Sequence, residues 1–260
     1  MKNLQSNYTD NPVASKHMYD SRERSKKADK IIAVLTDYFS STRTLSLLDA
    51  SCSTGLITSQ FSSCFAKVVG IDIDEKAVLF AKSNNDAHNV GYYTMNALAT
   101  SFEDATFDVV ICNQMYEHVP DAARLLVEIR RILKPGGVCY FGATNRLKIM
   151  ETHYGRLPFL SYFPKSVANI YLKLMGRGNY YYENLYPYWK LKKLCKDFEV
   201  IDYTKHIVED PEKYGADDVL LRGTFTRWLA GFVLNYAYWA CPGYVWLLRR
   251  PGDLGVNERQ

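Results

Sequence analysis

Asp49 closes an apolar run, Leu45–Leu48, and small residues follow it at once: Ser51, Cys52, Ser53, Thr54 and Gly55. A strand, a small-residue loop and a helix start in that order let a ligand approach the backbone at the carboxyl edge of a parallel sheet. A dinucleotide loop would read Gly-x-Gly-x-x-Gly and hold a pyrophosphate, yet only Gly55 is glycine here and a carboxylate opens the loop. A carboxylate repels phosphate and attracts an ammonium or a sulfonium. The loop therefore points to a cationic nucleoside without phosphate. Asp72 ends a second apolar run and lies 23 positions after Asp49, the separation of neighbouring strand ends in a βαβ unit. A carboxylate there can accept both ribose hydroxyls. The competing use, capping the helix expected at Glu75–Asn84, falls to Asp74.

A second chemical group follows the run Val109–Cys112, whose unbroken apolar character suits a parallel strand covered on both faces. That strand delivers Asn113 and Gln114 to the same edge. Glu117 and His118 come next. His118 is a candidate general base on an acceptor hydroxyl, with Glu117 beside it, and the alternative is a hydrogen-bonded helix start.

The elements that must position these groups are legible from periodicity. Ile31, Ile32, Leu35 and Phe39 recur at helical spacing in Ala28–Phe39, a helix laid before the first strand. A helix is expected through Ile57, Phe61 and Phe65, another over Ala122–Leu133, and a fifth strand from Val138 after Lys134-Pro-Gly-Gly137. Residues 147–190 are rich in aromatic and basic side chains, among them His153, Tyr154 and Tyr180–Tyr182, with Lys148, Arg156, Lys165, Lys173 and Arg177. Prolines and glycines break that stretch into short pieces. It reads as a cover over an acceptor site, or else as a satellite core. A helix over Trp189–Lys196 and a strand over Phe198–Thr204 return to the sheet. Trp228–Leu248 approaches membrane-spanning length, but Asn235 and Pro242-Gly243 interrupt it, favouring a buried helix and a final strand over a surface or spanning helix. The chain thus divides into 1–146, an N-terminal helix and nucleoside-binding core; 147–190, an aromatic insertion; and 191–260, the end of the core sheet. Residues 1–16 are polar and read as loosely held.

Residues 45–58 resemble motif I of the class I S-adenosylmethionine-dependent methyltransferases, Asp-x-Gly-x-Gly-x-Gly, with Ser51 and Ser53 in place of two glycines. Asp72 and Ile73 resemble motif II, Asn96-Ala97 stand where the family has Asp-Ala, and Phe107–Gly137 resembles motif IV and the Leu-Lys-Pro-Gly-Gly region of small-molecule methyltransferases. The resemblance covers about 45–145. It implies a Rossmann-like sheet of seven strands in the order 3-2-1-4-5-7-6, the last antiparallel, and S-adenosyl-L-methionine as cofactor. It also implies binding by Asp49, Ser51, Cys52, Ser53, Gly55, Asp72, Ile73, Asn96, Ala97 and Asn113, with Ile73 against the adenine and Asn96 offering a carbonyl to its amino group. Read alone, Asn96 is turn chemistry. In the quinone O-methyltransferases that this stretch resembles, a Glu three positions earlier joins the equivalents of Glu117 and His118 at a divalent metal. Gln114 stands there instead, a poorer ligand for a hard cation, so no metal is expected.

Composition sets the remaining bounds. A hydrophobic share of 47% and a charged share of 23% over 260 residues suit one core with an elaboration, and a net charge of +4 gives no case for nucleic acid. Six scattered cysteines without ligand spacing suit a reducing cytoplasm, and the mild positive charge leaves a peripheral membrane contact open. The expected function is methyl transfer to a small, partly apolar acceptor. The alternatives are a degenerate fold that binds without catalysis, and a nicotinamide-dependent oxidoreductase.

Overall fold

A computed structural model describes residues 18–216 and 225–252; the polar stretch 1–16 lies outside them. The seven strands of the main sheet are β1 (Ser46–Asp49), β2 (Lys67–Asp72), β3 (Val90–Thr94), β4 (Phe107–Asn113), β5 (Leu133–Thr144), β6 (Glu199–Asp202) and β7 (Gly243–Arg249). They stand in the order β3-β2-β1-β4-β5-β7-β6. The pairs among β1–β5 are parallel, and β7 runs antiparallel to both β5 and β6. This is the expected seven-stranded α/β sheet.

The alternation of β1 and β4 explains why helices cover both faces. Leu47, Val109 and Ile111 point to one face, where α1 (Ser21–Tyr38) lays down Ile31, Val34 and Leu35. Leu48, Val110 and Cys112 point to the other, against Leu125, Leu126, Ile129 and Ile132 of α3 (Ala122–Ile132), the helix that follows α2 (Glu75–Asn84) in the chain. Strands buried on both sides must be apolar throughout, and the buried run Val109–Cys112 is. α1 starts seven residues earlier than its periodicity suggested, because Asp20 accepts the Glu23 N–H and caps it.

Two local expectations change. The segment through Ile57, Phe61 and Phe65 is a 3₁₀ turn, Thr58–Ser63, rather than an α-helix. Thr58 and Gln60 spend their side chains on Asp49 and the Leu56 carbonyl, and such local bonds compete with helix formation. The strand expected over Phe198–Thr204 stops at Asp202, whose carboxylate caps a further helix, Tyr203–Glu209.

The insertion leaves the carboxyl end of β5. It holds a small hairpin, Met150–Glu151 against Leu157–Pro158, and the helix Lys165–Leu174. Leu157, Leu160, Ala168, Leu172 and Tyr181 form a core of their own. The chain returns through the helix Tyr188–Leu194. Asn145 fixes the departure point: fully buried, its amide donates to the carbonyls of Trp239 and Cys241 and to the Tyr244 hydroxyl. The stretch Trp228–Leu248 is not one helix, and its helical part is not the buried helix expected: Trp228, Leu229, Phe232 and Tyr236 are exposed, and Leu234 faces the core. It divides into the helix Phe225–Tyr236, a 3₁₀ turn at Tyr238–Ala240 and β7, and no helix among the described residues is long and apolar enough to cross a membrane.

Candidate active site

The loop after β1 is threaded between its neighbours by backbone bonds. Ala50 N–H donates to the Ile111 carbonyl of β4, and Cys52 N–H to the Ile71 carbonyl of β2, at 3.0 and 2.9 Å. The loop then turns at Ser53, where φ is +50°, and at Gly55, where it is +75°. Gly55 has no substitute there: a Cβ would sit 2.8 Å from the Ala81 Cβ and 2.9 Å from the Tyr92 ring. Ser53 adopts the conformation that glycine favours, at a cost of order 1 kcal/mol. The path of the glycine-rich pattern is therefore kept with a serine under strain.

Asp49 is buried, with Oδ2 accepting from Thr58 Oγ1 at 2.6 Å and Oδ1 from the Ser51 N–H at 3.3 Å. Burial pushes its carboxyl up to about 6 despite those bonds. Asp72 accepts the Ser53 N–H at 2.9 Å and the Asp74 N–H at 3.0 Å, which ties the loop to the end of β2. These bonds do not fill its four lone-pair sites. Asp74 caps the helix Glu75–Asn84 through the Lys76 and Ala77 N–H groups, leaving Asp72 clear of that duty. The Ser53 hydroxyl is buried and makes no hydrogen bond, an orphan donor within the loop. Ile73 follows on the same edge, half-buried, and Ala97 is buried beside the turn after β3. Asn96 is exposed and its carbonyl accepts the Leu98 N–H at 2.9 Å, so it does make the turn bond. Asn113 ends β4 so close to β5 that a Cβ at Gly142 would lie 2.0 Å from its Oδ1. On the N-terminal side, Thr54 Oγ donates to the Met18 carbonyl at 2.9 Å, and Tyr19 packs edge-on against Phe80.

A second cluster sits past the end of β4. Glu117 and His118 lie in a turn, not at a helix start; α3 begins at Ala122 with Asp121 as its cap. Glu117 is fully buried. Its Oε1 accepts from Thr144 Oγ1 at 2.9 Å and its Oε2 has no partner, and burial pushes its carboxyl up to about 7. Burial, aided by the nearby His153 charge, brings His118 down to about 4, so it is a neutral imidazole at pH 7.

The insertion supplies the other half of this cluster. The His153 ring meets His118 edge-on at 5.2 Å. Glu151, fully buried, holds His153 Nδ1 and Lys148 Nζ each at 2.7 Å and accepts from the Tyr181 hydroxyl at 3.0 Å. Burial alone would raise Glu151, yet His153 and Lys148 hold it near 2; against the same burial, Glu151 and Glu183 raise His153. The Asn184 N–H donates to the Glu117 carbonyl at 2.8 Å, tying the insertion to the turn. Glu151 and Glu183 went unremarked in the sequence, where isolated acids among tyrosines carry no spacing signal.

A metal was not expected on the ground that Gln114 replaces a carboxylate. Gln114 is exposed, and its side-chain carbonyl takes the Lys27 ammonium at 3.4 Å. The donors that do meet are Glu117, His118 and His153, whose ligating atoms all lie within 4.8 Å of one another. Glu117 also has an oxygen, Oε2, without a hydrogen-bond partner, and this set fits a divalent cation.

The sheet order is that of the α/β Rossmann-like methyltransferase fold. Residues 48–141 match the family described as a methyltransferase domain. The chain is 30% identical over 154 residues to a ubiquinone biosynthesis O-methyltransferase of Aromatoleum aromaticum, covering 58% of this chain and 61% of the relative. It is 32% identical over 162 residues to a demethylmenaquinone methyltransferase of Lactococcus lactis, covering 59% and 60%. The chain thus spans about three fifths of the length of these relatives. Among solved structures, an S-adenosylmethionine-dependent methyltransferase of Methanosarcina mazei superposes with a TM-score of 0.54 at 17% identity, over 85% of this chain and 98% of that one. The [4+2]-cyclase SpnF gives 0.53 at 18% identity, over 86% and 82%. A cyclase on this fold shows that architecture alone does not fix the reaction.

Proposed function

We propose that the chain binds S-adenosyl-L-methionine along the edge of β1, β2 and β4 and transfers its methyl group to a small, partly apolar acceptor. The observation that carries this is the Ser53–Asp72 bond, which lays a strained small-residue loop over a carboxylate with open acceptor sites and leaves the Ser53 hydroxyl unpartnered. Asp49 and Asp72 make the edge acidic, which suits a cationic nucleoside and opposes the pyrophosphate of a nicotinamide cofactor. When bound, the cofactor supplies an electrophilic methyl on a sulfonium.

The remaining work belongs to the chain. Asp72 would hold the ribose hydroxyls, Ile73 and Ala97 would border the adenine, and Asn113 would border the methyl position. Holding the acceptor in line accounts for most of the rate in such transfers, on the order of 7–11 kcal/mol in well-oriented systems. In the metal-free chain His118, neutral at pH 7, would accept the acceptor's proton, and Glu117 would stand behind it. The names of the relatives favour a quinone precursor or another hydroxylated ring as acceptor, and the tyrosines of the insertion suit a planar apolar body.

Incubation with methyl-labelled S-adenosylmethionine and a hydroxylated quinone precursor should label the acceptor. His118→Ala should lower kcat by about 10²–10⁴-fold and leave S-adenosylhomocysteine binding intact. Binding of that product without transfer to any acceptor in a cell extract would favour the non-catalytic reading.

A further inference from the structure

We propose that Glu117, His118 and His153 form a divalent transition-metal site, with His153 of the insertion supplying the donor that Gln114 does not. Three separate observations meet there. The three ligating groups converge within 4.8 Å; bonds of about 2.0–2.2 Å to one ion draw them together by small side-chain movements. The Glu117 Oε2 is buried without a partner, while Oε1 is anchored by Thr144, so one oxygen is held in place and uncommitted. The His153 Nδ1 is bonded to Glu151 Oε1 at 2.7 Å, which fixes the tautomer and leaves Nε2 as the ligating atom. A carboxylate orienting a histidine in this way is the usual support behind a metal ligand.

The chemistry of the donors selects the ion. Two imidazoles and one carboxylate suit zinc, cobalt, nickel or ferrous iron, whereas magnesium prefers an all-oxygen shell. One competing cation, the Lys148 ammonium, is engaged by Glu151 at 2.7 Å. Glu183, also buried with an unpartnered Oε2, adds negative charge beside His153. Three protein donors leave coordination positions open, the arrangement of sites that take a substrate oxygen rather than of closed structural ones. The ion would also clamp the insertion to the turn after β4, since the donors come from both.

The test is titration of metal-free protein with Co²⁺, read by its visible d–d absorption, with magnesium and zinc as competitors. The expected result is one saturable equivalent, displaced by zinc and not by the same excess of magnesium. His153→Ala and Glu117→Gln should each weaken Co²⁺ binding at least tenfold. Glu117→Gln keeps the acceptor for Thr144, so it reports on charge at the ion rather than on folding. Circular dichroism and S-adenosylhomocysteine titration of the metal-free variants check that fold and nucleoside site are intact. No absorption change in the wild type, displacement by magnesium, or unaltered binding in either variant overturns the proposal. None of these readouts requires methyl transfer.

Discussion

The two halves of the site are built by different means. The half proposed for the nucleoside rests on backbone: β4 and β2 hand their carbonyls to the loop, Gly55 lets it pass under Tyr92, and only Asp49 and Asp72 add charge. The acceptor half rests on side chains, with Lys148, Glu151, His153, Tyr181 and Glu117 interlocked below the surface of the insertion. A loop held by a sheet tolerates change wherever backbone geometry is respected. A buried charge network tolerates almost none, because each member left alone is an ion without solvent.

The sharpest way to break that contrast is Glu151→Ala. It strands Lys148 and His153 and should cost about 3–5 kcal/mol in urea denaturation, while S-adenosylhomocysteine binding to the surviving folded fraction persists. Gly55→Ala should act on the other half. Its positive φ and the contact with Ala81 predict a loss of about 2–3 kcal/mol, accompanied by loss of nucleoside binding, by the same denaturation and by calorimetry. If Gly55→Ala binds as well as the wild type, the loop path is not what admits the ligand.

Asp72→Asn separates binding from stability. It should weaken S-adenosylhomocysteine by about 1–3 kcal/mol, with a smaller change in unfolding, since the amide oxygen still accepts one of the two N–H groups. A fall in stability with unchanged affinity would make Asp72 a loop anchor only.

Asp49 sharpens the comparison through pH. Burial raises its carboxyl to about 6, so the folded state favours the protonated form. That contribution to stability is full below the ordinary carboxylate value and is lost as pH rises through about 6. Ligand affinity runs the opposite way, because a cationic ligand prefers the ionised carboxylate. Affinity should be level above pH 7 and fall about tenfold per unit below 6, or about 1.4 kcal/mol per unit. A flat profile from 5 to 8 would remove Asp49 from the site. Last, Ser53→Gly relieves a left-handed serine and should gain about 1 kcal/mol, checked by thermal unfolding. A loss instead would mean that the Ser53 hydroxyl stabilises the loop.

Much of the backbone half was legible because its physics is local. Asp49 and Asp72 each end an apolar run, and the spacing between them reflects a βαβ unit whose strands are neighbours. The strand order followed from the resemblance to class I methyltransferases, not from spacing. The expected helix after the loop failed where Thr58 and Gln60 turned their side chains back on Asp49 and Leu56, a choice that apolar spacing does not record. The half proposed for the acceptor was legible at Glu117 and His118 and, without any pairing of residues, in the aromatic and basic stretch 147–190. Glu151, His153 and Glu183 lie 34, 36 and 66 residues beyond Glu117, and nothing but the fold of the insertion brings them to it. Gln114 stands at the metal position of the resemblance, whereas the group that meets Glu117 and His118 is His153 of the insertion.

Calorimetric titration with S-adenosylhomocysteine and with NAD, side by side at pH 7.5, tests the central claim most directly. A single equivalent of S-adenosylhomocysteine should bind and NAD should give no heat, because Asp49 and Asp72 suit the ammonium and ribose of the first and repel the pyrophosphate of the second. Binding of NAD, or no heat from S-adenosylhomocysteine at millimolar concentration, would contradict it.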